Sequence, residues 1–274
     1  MLLDYVRERK LRLDFVSLHN YGVTPDELNS GTNRLTVANN LKKHEDYMQT
    51  VRAHGFGDIE IVIDEWGAAT AGFFNKEECP SLMFRETEVF SAYFARLIHD
   101  LIYSEYNIAK LIICLSGQHE MTEDFSGFRN FFTLNFIKKP IYNAFILASR
   151  LGEVLLECEN NEENVHIIPT KTENGAYAVL LSYSDEYFTE NIPKKEITVH
   201  LEGVNTVTQA EIACIDKTTT NPYRLSESLG ITAPTVKEIA LLRAEGELNP
   251  QRIAATNGNI TLTLTPNCSY LITL

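Results

Sequence analysis

The sequence is short of basic residues, of paired cysteines, of tryptophan and of long apolar runs, and each shortage removes a class of function. Lysine and arginine total 24 against 37 aspartates and glutamates, a formal net charge of −13. A nucleic-acid partner needs a basic face to displace counterions from phosphates, so no nucleic acid is expected. The five cysteines (Cys79, Cys114, Cys158, Cys214, Cys268) are far apart and form no C-x-x-C pair. Such spacing suggests neither a disulfide framework nor a zinc site. No metal-ligating cluster and no phosphate loop is read along the chain, so neither a metal nor a cofactor is expected. No apolar run approaches the roughly 20 residues of a membrane-spanning helix, and no membrane partner is expected. Met1 to Lys10 is charged and amphipathic, without the apolar centre of a signal peptide. The chain as written therefore reads as cytoplasmic, unless its true start lies upstream.

What is present begins with Ile59-Glu60-Ile61-Val62-Ile63-Asp64-Glu65-Trp66-Gly67, around which the rest is organised. The β-branched run suits a strand covered on both faces. Simple alternation puts Ile59, Ile61, Ile63 and Glu65 on one side. Glu65 then stands at the end of a stiff element, beside the chain's one tryptophan, Trp66. The C-terminal ends of parallel strands are where α/β barrels keep their chemistry. A carboxylate at a strand end is also a common solvated turn residue or helix cap, so the neighbours decide.

Those neighbours form a strand–helix series. Residues 2–9 read as the end of a helix and Leu11–Tyr21 as a strand, with Leu13, Phe15, Ser17, His19 and Tyr21 sharing a face. Residues 22–34 have loop composition. Leu35–His54 has helical spacing and Gly55 behind it as a cap. A broad apolar stripe marks a helix over Arg85–Tyr103. Lys110–Leu115 reads as a third strand ending at Ser116-Gly117-Gln118-His119-Glu120, and Lys139-Pro140 leads into a helix that stops at Gly152. Strands alternating with helices predict a parallel sheet with crossover helices.

From about residue 164 the pattern changes to short alternating segments: 165–168, 176–183, 196–201, 206–215, 260–264 and 270–274. Only Thr235–Arg243 reads as helical there, and an antiparallel β-sandwich is the expectation. Asp216, Asn221 and Tyr223 read as turn residues rather than ligands. The polar stretch near 152–163 marks a boundary, giving residues 1–152 as the α/β part and 153–274 as the β part.

Parallel strands place their C-terminal ends on one rim, so His19, Tyr21, Glu65, Trp66 and the 116–120 segment should converge. Aromatic faces, polar tips and a carboxylate on one rim suit a sugar site. Taken singly, His19 is as readily a satisfied core histidine, and Tyr21 a half-buried strand aromatic.

Three stretches carry a resemblance. Leu13-Asp14-Phe15-Val16-Ser17-Leu18-His19-Asn20-Tyr21-Gly22 resembles the sixth barrel strand of glycoside hydrolase family 39, the β-xylosidases and α-L-iduronidases. Ile63-Asp64-Glu65-Trp66 resembles its seventh strand, and Phe125-Ser126-Gly127 through Lys139-Pro140 to Phe145 its segment after strand eight. The resemblance implies the C-terminal part of a (β/α)8 barrel, strands six to eight, followed by the family's β-sandwich. It implies Glu65 as the nucleophile of a retaining reaction, His19 and Tyr21 as hydrogen-bonding partners of the sugar, and Trp66 lining or supporting the pocket.

The resemblance is incomplete in an informative way. A retaining glycosidase needs a second carboxyl about 5–5.5 Å from the first. In the family that acid/base follows an asparagine on strand four, upstream of anything here. Asn161-Glu162 lies in the polar linker instead, and Glu120 could serve only by bending its loop. The family's strand-eight tryptophan has no counterpart in Ile113-Cys114-Leu115-Ser116, and the glycine-rich loop is reduced to Phe125-Ser126-Gly127-Phe128-Arg129-Asn130. Three strands cannot close a barrel, so Leu13, Phe15, Ile61 and Ile63 would lack an opposing wall. An N-terminal barrel segment or a second copy of the chain is the expected cover. The reading is a β-xylosidase-like hydrolase portion, inactive in isolation, acting on a carbohydrate substrate. A non-catalytic carbohydrate-binding remnant, or a structural subunit docking through its open sheet edge, are the alternatives.

Overall fold

The computed structural model of the chain describes residues 2–106, 108–117, 119–204 and 208–274. Met1, Gln118 of the 116–120 segment, and Thr206 with Val207 at the start of an expected strand lie outside the described residues.

The first half runs α1 (Leu2–Glu8), β1 (Phe15–Val23), α2 (Pro25–Ser30), α3 (Val37–Ala53) and β2 (Glu60–Ala69). A tight 3-10 turn at Pro80–Glu86 leads into α4 (Glu88–Ile102), β3 (Ile108–Ile113) and α5 (Pro140–Ala148). β1, β2 and β3 pair in that order and run parallel. Parallel neighbours need long crossovers, which α3 and α4 supply. α2 sits where only a loop was expected. Its signal is local: Thr24 and Glu27 form a reciprocal capping box, with Pro25 at the first helical position, an arrangement that satisfies otherwise orphaned amides. Gly55 ends α3 with φ +86°, a left-handed position that favours glycine.

β2 departs from simple alternation. Leu18 pairs with Ile63, but His19 pairs with Glu65, so Asp64 is a surplus residue. A bulge of this kind reverses the facing of everything beyond it. Ile61, Ile63 and Trp66 therefore all lie in the core with Phe90, Phe94 and Leu147, while Glu65 meets Tyr21 and His19 on the other face. The expectation that Ile61 and Ile63 share Glu65's side and lack a wall is corrected: the helices cover them. What stands open is Phe15 on β1, 51% exposed, and Ile112 on β3, 47% exposed. Nor does β2 stop at Glu65; it continues through Gly67 to Ala69.

The second half contains β4 (Val154–Leu155), β5 (Val165–Lys171), β6 (Tyr177–Tyr183), β7 (Lys195–His200) and β8 (Gln209–Ile215). It continues with α6 (Pro222–Leu229), α7 (Val236–Glu245), β9 (Gln251–Ala254), β10 (Asn259–Leu264) and β11 (Cys268–Thr273). Six strands form an antiparallel sheet in the order β4-β5-β6-β11-β8-β9, and β7 pairs with β10 separately. Val179, Leu181 and Ile272 of the large sheet share a core with Ile197, Ile260 and Leu262 of the small one. The large sheet's other face supplies Ile168, Leu180, Ala213 and Leu271 to the core around α4 and α5. Being covered on both sides explains the unbroken apolar run Ala178–Leu181. α6 was not read from the sequence, although Asn221 caps it, Pro222 opens it and Gly230 closes it at φ +66°.

Candidate active site

β1 and β2 present their side chains on the open face of the parallel sheet. Adjacent pairing of His19 with Glu65 brings the histidine beside the carboxylate, and Tyr21 lies next along β1. The Tyr21 hydroxyl donates a hydrogen bond to Glu65 Oε1. His19 Nε2 lies 3.4 Å from Glu65 Oε2 and 3.8 Å from Asp64 Oδ1. Asp64, thrown onto the same side by the bulge, also accepts a hydrogen bond from Ser17 Oγ. Three of the expected site residues, His19, Tyr21 and Glu65, are thus brought together.

Arg129 completes the cluster and was missed as a site residue. Its guanidinium is 3% exposed and reaches back from the loop after β3. Nη2 donates to the Tyr21 hydroxyl at 2.9 Å, Nε to the Cys114 carbonyl at 2.6 Å, and Nη1 to the Ala69 carbonyl at 3.0 Å. The same group lies 4.6 Å from the Tyr21 ring centroid and 3.8 Å from Glu65 Oε1. Glycines make room for it. A Cβ on Gly67 would sit 2.8 Å from Arg129 Nη1 and 3.1 Å from Tyr21, and one on Gly72 would sit 2.8 Å from Arg129 Nη2.

The electrostatics favour an ionised Glu65. Burial alone pushes its pKa up, but hydrogen bonds from Tyr21 and Cys114, then the charges of His19 and Arg129, outweigh it and hold the carboxyl below its usual value. Hydrogen bonds to the charged form act in that direction. Tyr21 is pushed the other way, first by burial and then by its bond to Glu65, and stays protonated as a donor.

A buried polar frame supports the Arg129 loop. Lys139 Nζ contacts Glu86 Oε1 at 2.8 Å, the Phe128 carbonyl at 2.8 Å and Asn130 Oδ1 at 2.9 Å. Both Lys139 and Glu86 are 1% exposed, and Glu86 also accepts from the Gly127 amide at 2.7 Å. On the other side Asn20 and Asn40 exchange hydrogen bonds at 3.0 Å. Tyr93 donates to Asn40 Oδ1 and fixes β1 to α3 and α4 behind the site.

Trp66 requires correction. Expected to line or support the sugar pocket, it has no exposed surface and stacks on Phe94 and Phe145, with centroids 5.6 and 6.4 Å away. The residue after the bulge points to the helices, so Trp66 packs behind β2 instead of contacting a ligand at the rim. Glu120 is exposed and makes no described contact with Glu65; its amide closes a turn onto the Gly117 carbonyl. Glu162 is paired with Lys195 in the antiparallel half. Asn221 caps α6 and Asp216 closes a turn onto the Thr218 amide. Among the described residues, the other carboxyl in the Glu65 network is Asp64.

A carboxylate held on a parallel strand, facing the uncovered side of the sheet, is the kind of site found in α/β barrel enzymes. Residues 1–252 match the model of glycosyl hydrolases family 39, and the chain belongs to that family. No curated protein matches the chain in sequence. The fold is similar to a GH39 β-xylosidase from Caulobacter crescentus, with TM-score 0.74 and 16% identity over 99% of this chain and 53% of that one. It is also similar to the GH39 enzyme from Xanthomonas axonopodis pv. citri, with TM-score 0.70 and 13% identity over 99% and 56%. A bacterial orthologue of human α-L-iduronidase gives TM-score 0.69 and 19% identity over 96% and 49%. The chain therefore spans about half the length of the solved structures it matches. Among the described residues no helix is long and apolar enough to cross a membrane.

Proposed function

We propose that Glu65 is the nucleophile of a retaining glycosidase of β-xylosidase type, of which this chain is the C-terminal portion. The observation that carries the reading is the relay Arg129–Tyr21–Glu65, which keeps a carboxylate ionised and aimed at the open face. In such a reaction the carboxylate attacks the anomeric carbon and forms a glycosyl ester. A second carboxyl protonates the departing oxygen, then activates the water that releases the sugar. His19, two residues before Tyr21 on the same face of β1, would hydrogen-bond the sugar held against Glu65. β1, β2 and β3 would be strands six to eight of a barrel in residues 1–152, with an accessory β-sandwich in 153–274. The acid/base carboxyl and the remaining strands would come from an N-terminal barrel segment, which would also cover Phe15 and Ile112. The isolated chain is then expected to hydrolyse aryl xylosides little or not at all.

Nucleophile and acid can be tested separately, because a dinitrophenolate leaving group departs without a proton. A fluorinated xyloside carrying that group, incubated with the chain together with its N-terminal barrel segment, should add one sugar mass to the peptide containing Glu65. No adduct, or the same adduct in Glu65→Gln, would overturn the assignment.

A further inference from the structure

The sequence shows no metal-ligating cluster because the relevant residues are distant along the chain; the fold brings them together. We propose that His99 and Asp100 of α4 and His166 of β5 form a site for a divalent transition-metal ion such as zinc, clamping the two elements together. One potential ligand atom from each residue lies within 4.8 Å of the others. The two imidazole rings face each other edge to face, with centroids 5.1 Å apart. His99 Nδ1 is already 2.8 Å from Asp100 Oδ1.

The second observation is His166 Nε2, which is buried and has no hydrogen-bond partner. Buried polar atoms are normally satisfied, and each exception calls for an explanation. A metal ion would use that nitrogen. Zinc is held at about 2.0–2.2 Å by imidazole nitrogens and carboxylate oxygens in a tetrahedron, which places ligand atoms roughly 3.3 Å apart. Binding would draw the three ligand atoms into that range by side-chain rotation, leaving the fourth position for water. Two imidazoles and a single carboxylate suit zinc, copper or nickel over magnesium or calcium, which prefer oxygen donors.

One neighbour opposes the ion. Arg96 Nε lies 3.8 Å from Asp100 Oδ2, and its Nη1 is anchored on the Asp185 carbonyl at 3.0 Å. The guanidinium competes for the carboxylate and repels a cation, so it should limit the affinity. The site's place in the fold gives it a structural role. α4 carries the core beneath β2, and β5 belongs to the antiparallel sheet; Tyr103 already ties them through a 3.3 Å hydrogen bond to the Ile167 carbonyl.

The test is a calorimetric titration of the chelator-stripped chain with zinc chloride, beside cobalt chloride followed by absorption. One equivalent of zinc and tetrahedral cobalt bands are expected. His166→Ala should abolish both. Asp100→Asn, on the partly exposed helix face, should weaken zinc about tenfold or more without unfolding the chain. Arg96→Gln should tighten it. Absence of zinc binding, binding unchanged in Asp100→Asn, an octahedral cobalt spectrum, or no gain in Arg96→Gln would each overturn the proposal.

Discussion

Arg129 Nη2 donates to the Tyr21 hydroxyl oxygen across 2.9 Å, and this fixes the direction of the hydroxyl's own proton. A guanidinium only donates, while a hydroxyl has one proton and two lone pairs. With Arg129 on a lone pair, the Tyr21 proton goes to Glu65. The buried cation thus acts on the carboxylate both by its charge and by orienting the group between them.

Tyr21→Phe removes the leading hydrogen bond that lowers the Glu65 pKa. The carboxyl should then titrate at higher pH, because a hydrogen bond to the charged form is lost. A depressed carboxylate stabilises the fold above its unfolded value and loses that contribution as pH falls through the folded value. The variant should therefore lack this contribution at neutral pH and lose correspondingly less stability on acidification. Carbon NMR titration of carboxyl-labelled glutamate, assigned with Glu65→Gln, reads the shift; an unchanged midpoint would break the relay argument.

Arg129→Met should cost roughly 3 kcal/mol, because it strands the Ala69 and Cys114 carbonyls that the guanidinium now satisfies, and hydrogen bonds to charged groups are the stronger kind. Arg129→Lys should recover less than half of this, since one ammonium cannot match the fork. Urea unfolding midpoints decide it. Equal stability for Met and Lys would mean that packing rather than donation is the contribution.

Lys139 and Glu86 present a buried pair whose rupture is costly. Burial pushes Lys139 below its ordinary pKa, and Glu86 opposes that shift. Lys139→Met leaves a buried carboxylate unpaired and should destabilise by about 3–5 kcal/mol. Replacing Glu86 by Leu in the same chain should restore part of the loss. If the double variant is no better than the single, the contacts of Lys139 with the Phe128 carbonyl and Asn130 dominate.

Much of this was legible along the chain, and the failures have identifiable causes. The His19–Tyr21 face and Glu65 were readable because period-two alternation and strand ends are local properties. Ile61 and Ile63 were put on Glu65's side because simple alternation has no place for the surplus residue Asp64, and nothing in Ile63-Asp64-Glu65-Trp66 marks a bulge. Trp66 was put at the pocket by the resemblance alone, although alternation already sets it opposite Glu65. Arg129 was missed because its partners lie on three separate segments. A faint signal existed in Gly67 and Gly72, two glycines where a strand and its following loop would ordinarily carry side chains. α2 and α6 were readable from Thr24-Pro25-Asp26-Glu27 and Asn221-Pro222, cap and first-turn chemistry that loop composition concealed. The His99–Asp100–His166 cluster had no sequence signature, since helix and strand are brought together only by the packing of the large sheet on α4.

His44 should oppose folding as the pH falls. It is fully buried, packed against Tyr106 with ring centroids 4.5 Å apart, and neither ring nitrogen has a hydrogen-bond partner. Burial pushes its pKa down from 6.5 to about 4. Between those values the unfolded chain binds a proton that the folded chain refuses, so stability rises with pH across the window and is fully present above 6.5. In the metal-free chain His166, also lowered to about 4 mainly by burial, acts with the same sign. Each should remove on the order of 1–2 kcal/mol by about pH 5. His44→Leu should flatten about half of the slope in urea midpoints measured between about pH 5 and pH 7.5, whatever its effect on absolute stability. A variant that keeps the full slope would show that carboxylates, not this buried imidazole, control unfolding in that range.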